Sequence, residues 1–158
     1  VELGSWKGRS TAWLASGLRD RGAGQVLAVD TWAGTSNEPG HARLLAGYAA
    51  DQLFEEFGAN MRRLDLQAQV VAWRMTTLEA ARRWARGVSI GLLHIDAAHD
   101  YDSVRADFEH WSPHVVAGGL VVFDDVPTWP GPTRLVSELP RWFRFFGASP
   151  NQWIVVKD

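Results

Sequence analysis

The sequence contains no cysteine. That excludes a disulfide framework and cysteine-ligated zinc, and it points to an intracellular, cytoplasmic setting. No apolar run approaches the about 18 residues of a membrane span, and no signal-peptide pattern opens the chain, so a soluble domain is expected. Charge of one sign is also missing. Sixteen basic residues stand against 18 acidic ones, for a formal net charge of −2, which excludes the strongly basic surface of an ordinary nucleic-acid binder. Repeats and low-complexity tracts are absent. What remains is 158 residues, 46% of them hydrophobic, enough for one domain with a real core and too few for two ordinary ones. Nine tryptophans, and Val rather than Met at position 1, are the unusual entries.

Short β-branched runs alternate with segments of helical period. Residues 25–30 (QVLAVD), 68–73 (AQVVAW), 89–96 (SIGLLHID) and 119–124 (GLVVFD) read as strands, and 1–3 as the tail of another. Their continuous apolar character suits strands buried on both faces of a parallel sheet. Thr11, Leu14, Ala15 and Leu18 form a helical stripe, as do Tyr101, Val104, Phe108 and Trp111. Residues 76–79 (TTLE) form a capping box opening a helix to about Arg86, and a long helical region covers 42–64. Residues 31–41 are too rich in Gly, Pro and Asn for regular structure. Near the end, 142–146 and 152–157 are strand-like and joined by only five residues, so the last strand should be antiparallel. The expected fold is α/β: a Rossmann-like doubly wound sheet of seven strands, mostly parallel, formed by 1–158 as a single domain.

In such a sheet, ligands bind beyond the carboxyl ends of the strands. The first of these ends carries Glu-x-Gly-x-x-x-Gly-x-Ser, from Glu2 to Ser10. A dinucleotide fingerprint would need glycines where Trp6 and Arg9 stand, and a phosphate loop would need Lys in place of Arg9. The second strand ends in Asp30, an acid able to accept both hydroxyls of a ribose. Either feature alone reads as a glycine turn and a loop-capping carboxylate. Together, at consecutive strand ends, they point to a nucleoside ligand.

A second cluster lies at the next two strand ends. Asp96 closes one strand, and Asp124 with Asp125 close the other. Adjacent strands lie about 5 Å apart, so three carboxylates converge at one rim. Without compensation they repel and push one pKa upward. A hard divalent cation, Mg2+ first, with Mn2+ or Ca2+ also suitable, resolves this; helix-capping aspartates are the plainer reading. His99, three residues beyond Asp96, is placed to take a proton from a hydroxyl. His94, inside an apolar strand, reads as a satisfied core residue. Arg74, Arg82, Arg83, Arg86, Arg105 and Asp107 read as solvated helix faces and their approaches. Asn60 reads as a local pin. Trp129, just beyond Asp125, lies where an acceptor would be lined.

Val1-Glu-Leu-Gly4, Leu27-Ala-Val-Asp30-Thr-Trp32, Leu93-His-Ile-Asp96 and Gly118-Gly-Leu-Val-Val-Phe-Asp-Asp125 together resemble class I S-adenosylmethionine-dependent methyltransferases. More narrowly, the chain is similar to the metal-dependent branch of macrocin-type sugar and catechol-type O-methyltransferases. The resemblance implies that Gly4 to Gly8, with Ser5 and Ser10, wrap the amino-acid end of S-adenosylmethionine. It implies that Glu2 orients this loop or binds the ammonium and that Asp30 holds the ribose. Trp32 would cover the adenine, and a core role suits it equally. Thr77 would lie near the adenine, and Asp96 would face the cofactor as well as the metal. Asp96, Asp124 and Asp125 would be the metal ligands and His99 the base. The family's N-terminal helices have no expected counterpart in a chain that opens on the first strand.

The expected activity is therefore metal-assisted O-methylation of a small hydroxylated acceptor, a natural-product sugar or a phenol. No nucleic-acid or membrane partner is expected, and self-association is left open. The alternatives are a metal-independent methyltransferase and a non-catalytic S-adenosylmethionine-binding module.

Overall fold

The computed structural model describes residues 1–34, 39–85 and 87–158. Arg86 and residues 35–38 of the loop expected at 31–41 lie outside the described residues, and 39–41 of that loop open a helix instead. Seven strands form one sheet in the order β3-β2-β1-β4-β5-β7-β6, and the chain divides into two compact units.

The unit 4–76 contains α1 (Arg9–Arg21), β2 (Val26–Asp30), α2 (Pro39–Leu45), α3 (Gln52–Arg63) and β3 (Val70–Arg74). Strands β2 and β3 run parallel, Val26 opposite Val70 through Asp30 opposite Arg74. Helix α1 extends the expected stripe and is bounded by Gly8 and Gly22, both in the left-handed region. The helical region expected at 42–64 is instead two helices. Asp51, at φ 70, precedes α3 in a conformation that no α-helix propagates. The Gln52 side chain accepts from the Ala49 N–H at the break. The apolar face of α3 (Leu53, Phe57, Met61) packs with Ala15, Val26, Ala28 and Trp32 into the core. Each large side chain so buried contributes on the order of 1.5–3 kcal/mol.

The other unit comprises 1–3 and 77–158. It holds β1 (Glu2–Leu3), α4 (Thr77–Arg83), β4 (Ile90–Ile95), α5 (Tyr101–Trp111), β5 (Val115–Asp124), α6 (Pro130–Ser137), β6 (Phe143–Ser149) and β7 (Gln152–Lys157). β1 pairs with β4 and β4 with β5, all parallel. β7 is antiparallel to both β5 and β6, as the short final link predicts. β5 begins four residues earlier than expected, because a register shift opposite Ile90 and Leu92 absorbs the extra residues around Gly118 and Gly119. The sequence 129–132 (WPGP) is not a free loop: Trp129 is the N-cap of α6, and prolines occupy its first turn. Helix α5 has the expected limits, but Asp107 is not on a solvated face. It is 3% exposed, beside Val104, Phe108 and Trp111 on the buried side.

Candidate active site

The glycine loop is built by its own backbone and by one carboxylate. Gly4 donates its N–H to the Val29 carbonyl (2.9 Å), and Gly8 donates to the Ser5 carbonyl (2.7 Å). Asp30 Oδ2 accepts from the N–H groups of Ser5 and Trp6, both at 2.8 Å, while Oδ1 accepts from the Trp32 N–H at 2.7 Å. Three of the roughly four lone-pair positions of this carboxylate are thus used in shaping the loop, and the reading of Asp30 as a loop cap describes these contacts directly. Gly8 sits at φ 84, and a Cβ there would stand 2.6 Å from Met61 Cε, so no other residue closes this turn without strain.

Further residues hold the loop. Asn60 Nδ2 on α3 donates to the Lys7 carbonyl at 2.9 Å, a long-range pin that sequence reading placed only within its own helical region. Trp32 is 3% exposed, with its ring against Phe54 and Phe57 and its Nε1–H on the Trp6 carbonyl at 2.8 Å. It is a core side chain that also ties down the loop. Ser5 is buried, and Ser10 is the second residue of α1.

In the other unit, the in-register pairing of Glu2 with His94, and of His94 with Val122, places Glu2, His94 and Asp124 on one face of three neighbouring strands. His94 Nε2 lies 3.2 Å from Asp124 Oδ2, and Nδ1 lies 3.7 Å from Glu2 Oε1. Both His94 (4% exposed) and Glu2 (0%) are buried. Burial opposes a charge on this imidazole, but the hydrogen bond to Asp124 and the neighbouring Glu2 carboxylate outweigh it and carry the His94 pKa up to about 9. The expected core histidine is therefore a charged link between two carboxylates. Its signal in the sequence was a histidine exactly two positions before a strand-terminal Asp, which periodicity alone does not distinguish from core.

Asp124 is the most heavily bonded carboxylate of the rim. Its Oδ1 accepts from the Asp125 N–H (2.9 Å) and Asn151 Nδ2 (3.2 Å), and Oδ2 from Gln152 Nε2 (2.8 Å) as well as His94. Burial raises its pKa, but these bonds to His94, Gln152 and the Asp125 N–H prevail and lower it to about 2. Asp125, at φ 61, accepts from Asn151 Nδ2 at 2.8 Å and lies 2.6 Å from His99 Nε2. Asn151 also meets Thr128. The Asp96 carboxyl is pushed upward, first by burial, against the His99 hydrogen bond and with the help of the Asp124 and Asp125 charges, which is the repulsion expected of converging carboxylates.

Among the described residues, two groups bring ligand atoms within 4.8 Å of one another: His94, Asp96 and Asp124, and Asp96, His99 and Asp125. Asp96 is common to both. The three aspartates thus share one rim, with a histidine in each half of it. Thr77 opens α4; its carbonyl accepts the Trp111 Nε1–H at 3.1 Å, and its side chain hydrogen-bonds Asp107. Burial, working against that bond, raises the Asp107 pKa to about 6. Trp6, Trp32 and Asp125, which follow β1, β2 and β5, are non-glycine residues with positive φ, as are Asp51 and Asp65 on either side of α3.

A family described as a methyltransferase domain matches residues 1–126. The chain belongs to the methyltransferase domain family. Among curated proteins, the uncharacterized protein y4gI of Sinorhizobium fredii (strain NBRC 101917 / NGR234) is 30% identical over 103 residues. That match takes in 65% of this chain and 10% of y4gI, so the chain spans a small part of that relative. Among solved structures, the O-methyltransferase NovP has a TM-score of 0.76 at 19% identity, covering 99% of this methyltransferase and 70% of NovP. The calicheamicin methyltransferase CalS11 has a TM-score of 0.70 at 19% identity, covering 98% and 70%; it is also described as a TDP-rhamnose 3'-O-methyltransferase. These likenesses establish the shared fold.

Proposed function

We propose that this domain transfers the methyl group of S-adenosylmethionine to a hydroxyl of a small natural-product sugar or phenol, with the help of a divalent cation. The observation that carries this reading is the rim at the ends of β4 and β5, where Asp96 gathers with Asp124 and His94 on one side and with Asp125 and His99 on the other, in the chain of a methyltransferase family.

Glu2 is fully buried, which supports an orienting role over contact with the cofactor's ammonium. The N-terminus of α1, following Gly8, suits the cofactor carboxylate. The loop held by Asp30 would wrap the amino-acid end, with the remaining lone pair of Asp30 directed to the ribose. Thr77, fixed by Asp107 and Trp111, would border the adenine.

The donors at the rim suit a cation in either of two groups that share Asp96, one with Asp124 and His94 and one with Asp125 and His99. A cation bound there lowers the pKa of an acceptor hydroxyl and orients it. His99 takes the proton. Its Nε2 lies 2.6 Å from Asp125 Oδ2, and a carboxylate on that side of the ring would leave Nδ1 as the basic atom, the way a carboxylate commonly orients a catalytic imidazole. The acceptor oxygen then forms a bond to the methyl carbon as the carbon–sulfur bond breaks, and its electron pair returns to sulfur, leaving S-adenosylhomocysteine. The chain's contribution is alignment and a prepared electrostatic environment.

Asp124→Asn tests the assignment. It should lower chelator-sensitive turnover at least 100-fold while leaving the affinity for S-adenosylhomocysteine within about twofold, by calorimetry. Unchanged turnover would remove Asp124 from the metal set. One observation favours methyl transfer without a cation: both Asp124 oxygens already accept two hydrogen bonds each. Titration of Mg2+ into chelated protein separates the two readings, because only the first requires binding.

A further inference from the structure

Trp129 lies beside His99, four residues beyond Asp125. Its ring is nearly parallel to the imidazole, with centroids 4.7 Å apart and planes 17° apart. Its position is fixed by backbone: its N–H donates to the Asp125 carbonyl at 2.8 Å, and its carbonyl accepts from the Thr133 N–H (3.2 Å) and from Thr133 Oγ1 (2.6 Å). Two residues on, Gly131 presses the first turn of α6 onto the His99 turn so closely that a Cβ there would stand 2.1 Å from the His99 carbonyl oxygen. One end of this aromatic is therefore anchored against the base. Yet the residue is 39% exposed, whereas the His99 side chain is only 12% exposed. A rigid, partly solvated indole beside a carboxylate rim is a surface prepared for a flat or half-apolar ligand.

The geometry points to Trp129 as the platform on which the acceptor ring stacks, and hence to an acceptor whose reactive hydroxyl is carried on a six-membered ring with one apolar face. Both a phenol and the C–H face of a pyranose offer that chemistry. The site chosen is compatible with either because an aromatic face attracts π-systems and polarised C–H groups alike. This inference rests on the O-methyltransferase reading above, and it adds to that reading a contact with the acceptor that none of the acidic residues supplies. Trp129 is distinct from the base and the metal ligands, and its role is specificity.

Saturation-transfer and 15N–1H NMR with two probes, 3,4-dihydroxybenzoate and TDP-rhamnose, test it on the intact protein loaded with S-adenosylhomocysteine. The Trp129 indole signal, assigned by its loss in Trp129→Phe, should shift on addition of at least one probe. The probe that shifts it identifies the ring class. In steady-state assays with that probe, Trp129→Ala should raise the acceptor KM at least tenfold with the S-adenosylhomocysteine affinity within twofold, and Trp129→Phe should recover most of the loss. A fall in kcat at constant KM would confine Trp129 to holding His99 and overturn the platform. So would an indole signal unmoved by both probes at millimolar concentration. His99→Ala, assayed in parallel, keeps the two claims apart: turnover unaffected by His99→Ala but KM raised by Trp129→Ala would reject the base and keep the platform.

Discussion

Asp107 is a carboxylic acid on the buried side of α5, hydrogen-bonded to Thr77, with its pKa raised from 3.8 to about 6 by burial. An acid whose folded pKa exceeds its unfolded value holds its proton longer in the folded state. Below about pH 4 both states are protonated and no penalty arises. Between pH 4 and 6 the unfolded chain ionises first, so stability falls as pH rises, and the cost is complete above about pH 6. Its size is on the order of 2–3 kcal/mol. Asp107→Asn keeps a hydrogen-bonding group toward Thr77 without the charge. At pH 7 it should raise the melting temperature by about 5–10 °C, and at pH 4 it should leave it nearly unchanged. Equal melting temperatures of the two proteins at pH 7, by scanning calorimetry, would contradict this account. His94 and Asp124 form the complementary case, in which a buried imidazole and a half-buried carboxylate hold opposite charges because each hydrogen-bonds the other.

At the scale of elements, the decisive contact is that of α6 with the turn between β4 and α5. Gly131 has no room for a side chain against the backbone of His99, Asp100 and Tyr101. Backbone cannot rotate away as a flexible side chain can, so Gly131→Ala must displace the start of α6, and with it Trp129 and the orientation of His99. Overpacking of this kind costs about 1–3 kcal/mol. The variant should melt several degrees lower and lose at least tenfold in kcat; a variant with both values intact would show that the turn is not constrained by α6. This contact was not legible in the sequence, because the two prolines of 129–132, which suggest irregular structure, also suit the first turn of a helix. What was legible followed from local chemistry: β-branched runs gave β2, β4 and β7 within about a residue, and the α5 stripe gave both its ends. Strand-terminal acids gave Asp30, Asp96, Asp124 and Asp125. What was hidden depended on long-range contacts. Asp107 alternates with apolar neighbours like any solvated residue, and only its burial and its bond to Thr77 show that it faces inward. Asn60 reaches Lys7 across 53 positions of sequence, and His94 is distinguished from core only by the carboxylates that pairing brings to it.

At the scale of the whole molecule, the chemistry divides between the two units. The unit 4–76 carries the glycine loop, its Asp30 clasp and the pins from Asn60 and Trp32, the parts read as holding the cofactor. The unit of 1–3 and 77–158 carries the carboxylate rim, His94, His99 and Trp129, the parts read as acting on the acceptor, as well as Glu2 and Thr77, read with the cofactor. Among the described residues, no helix is long and apolar enough to cross a membrane. The most direct test of the central claim is transfer of a radiolabelled methyl group from S-adenosylmethionine to 3,4-dihydroxybenzoate or TDP-rhamnose, measured before chelation, after EDTA, and after Mg2+ is restored. The account predicts transfer that falls to background with EDTA and returns with Mg2+; transfer undiminished by chelation would contradict it.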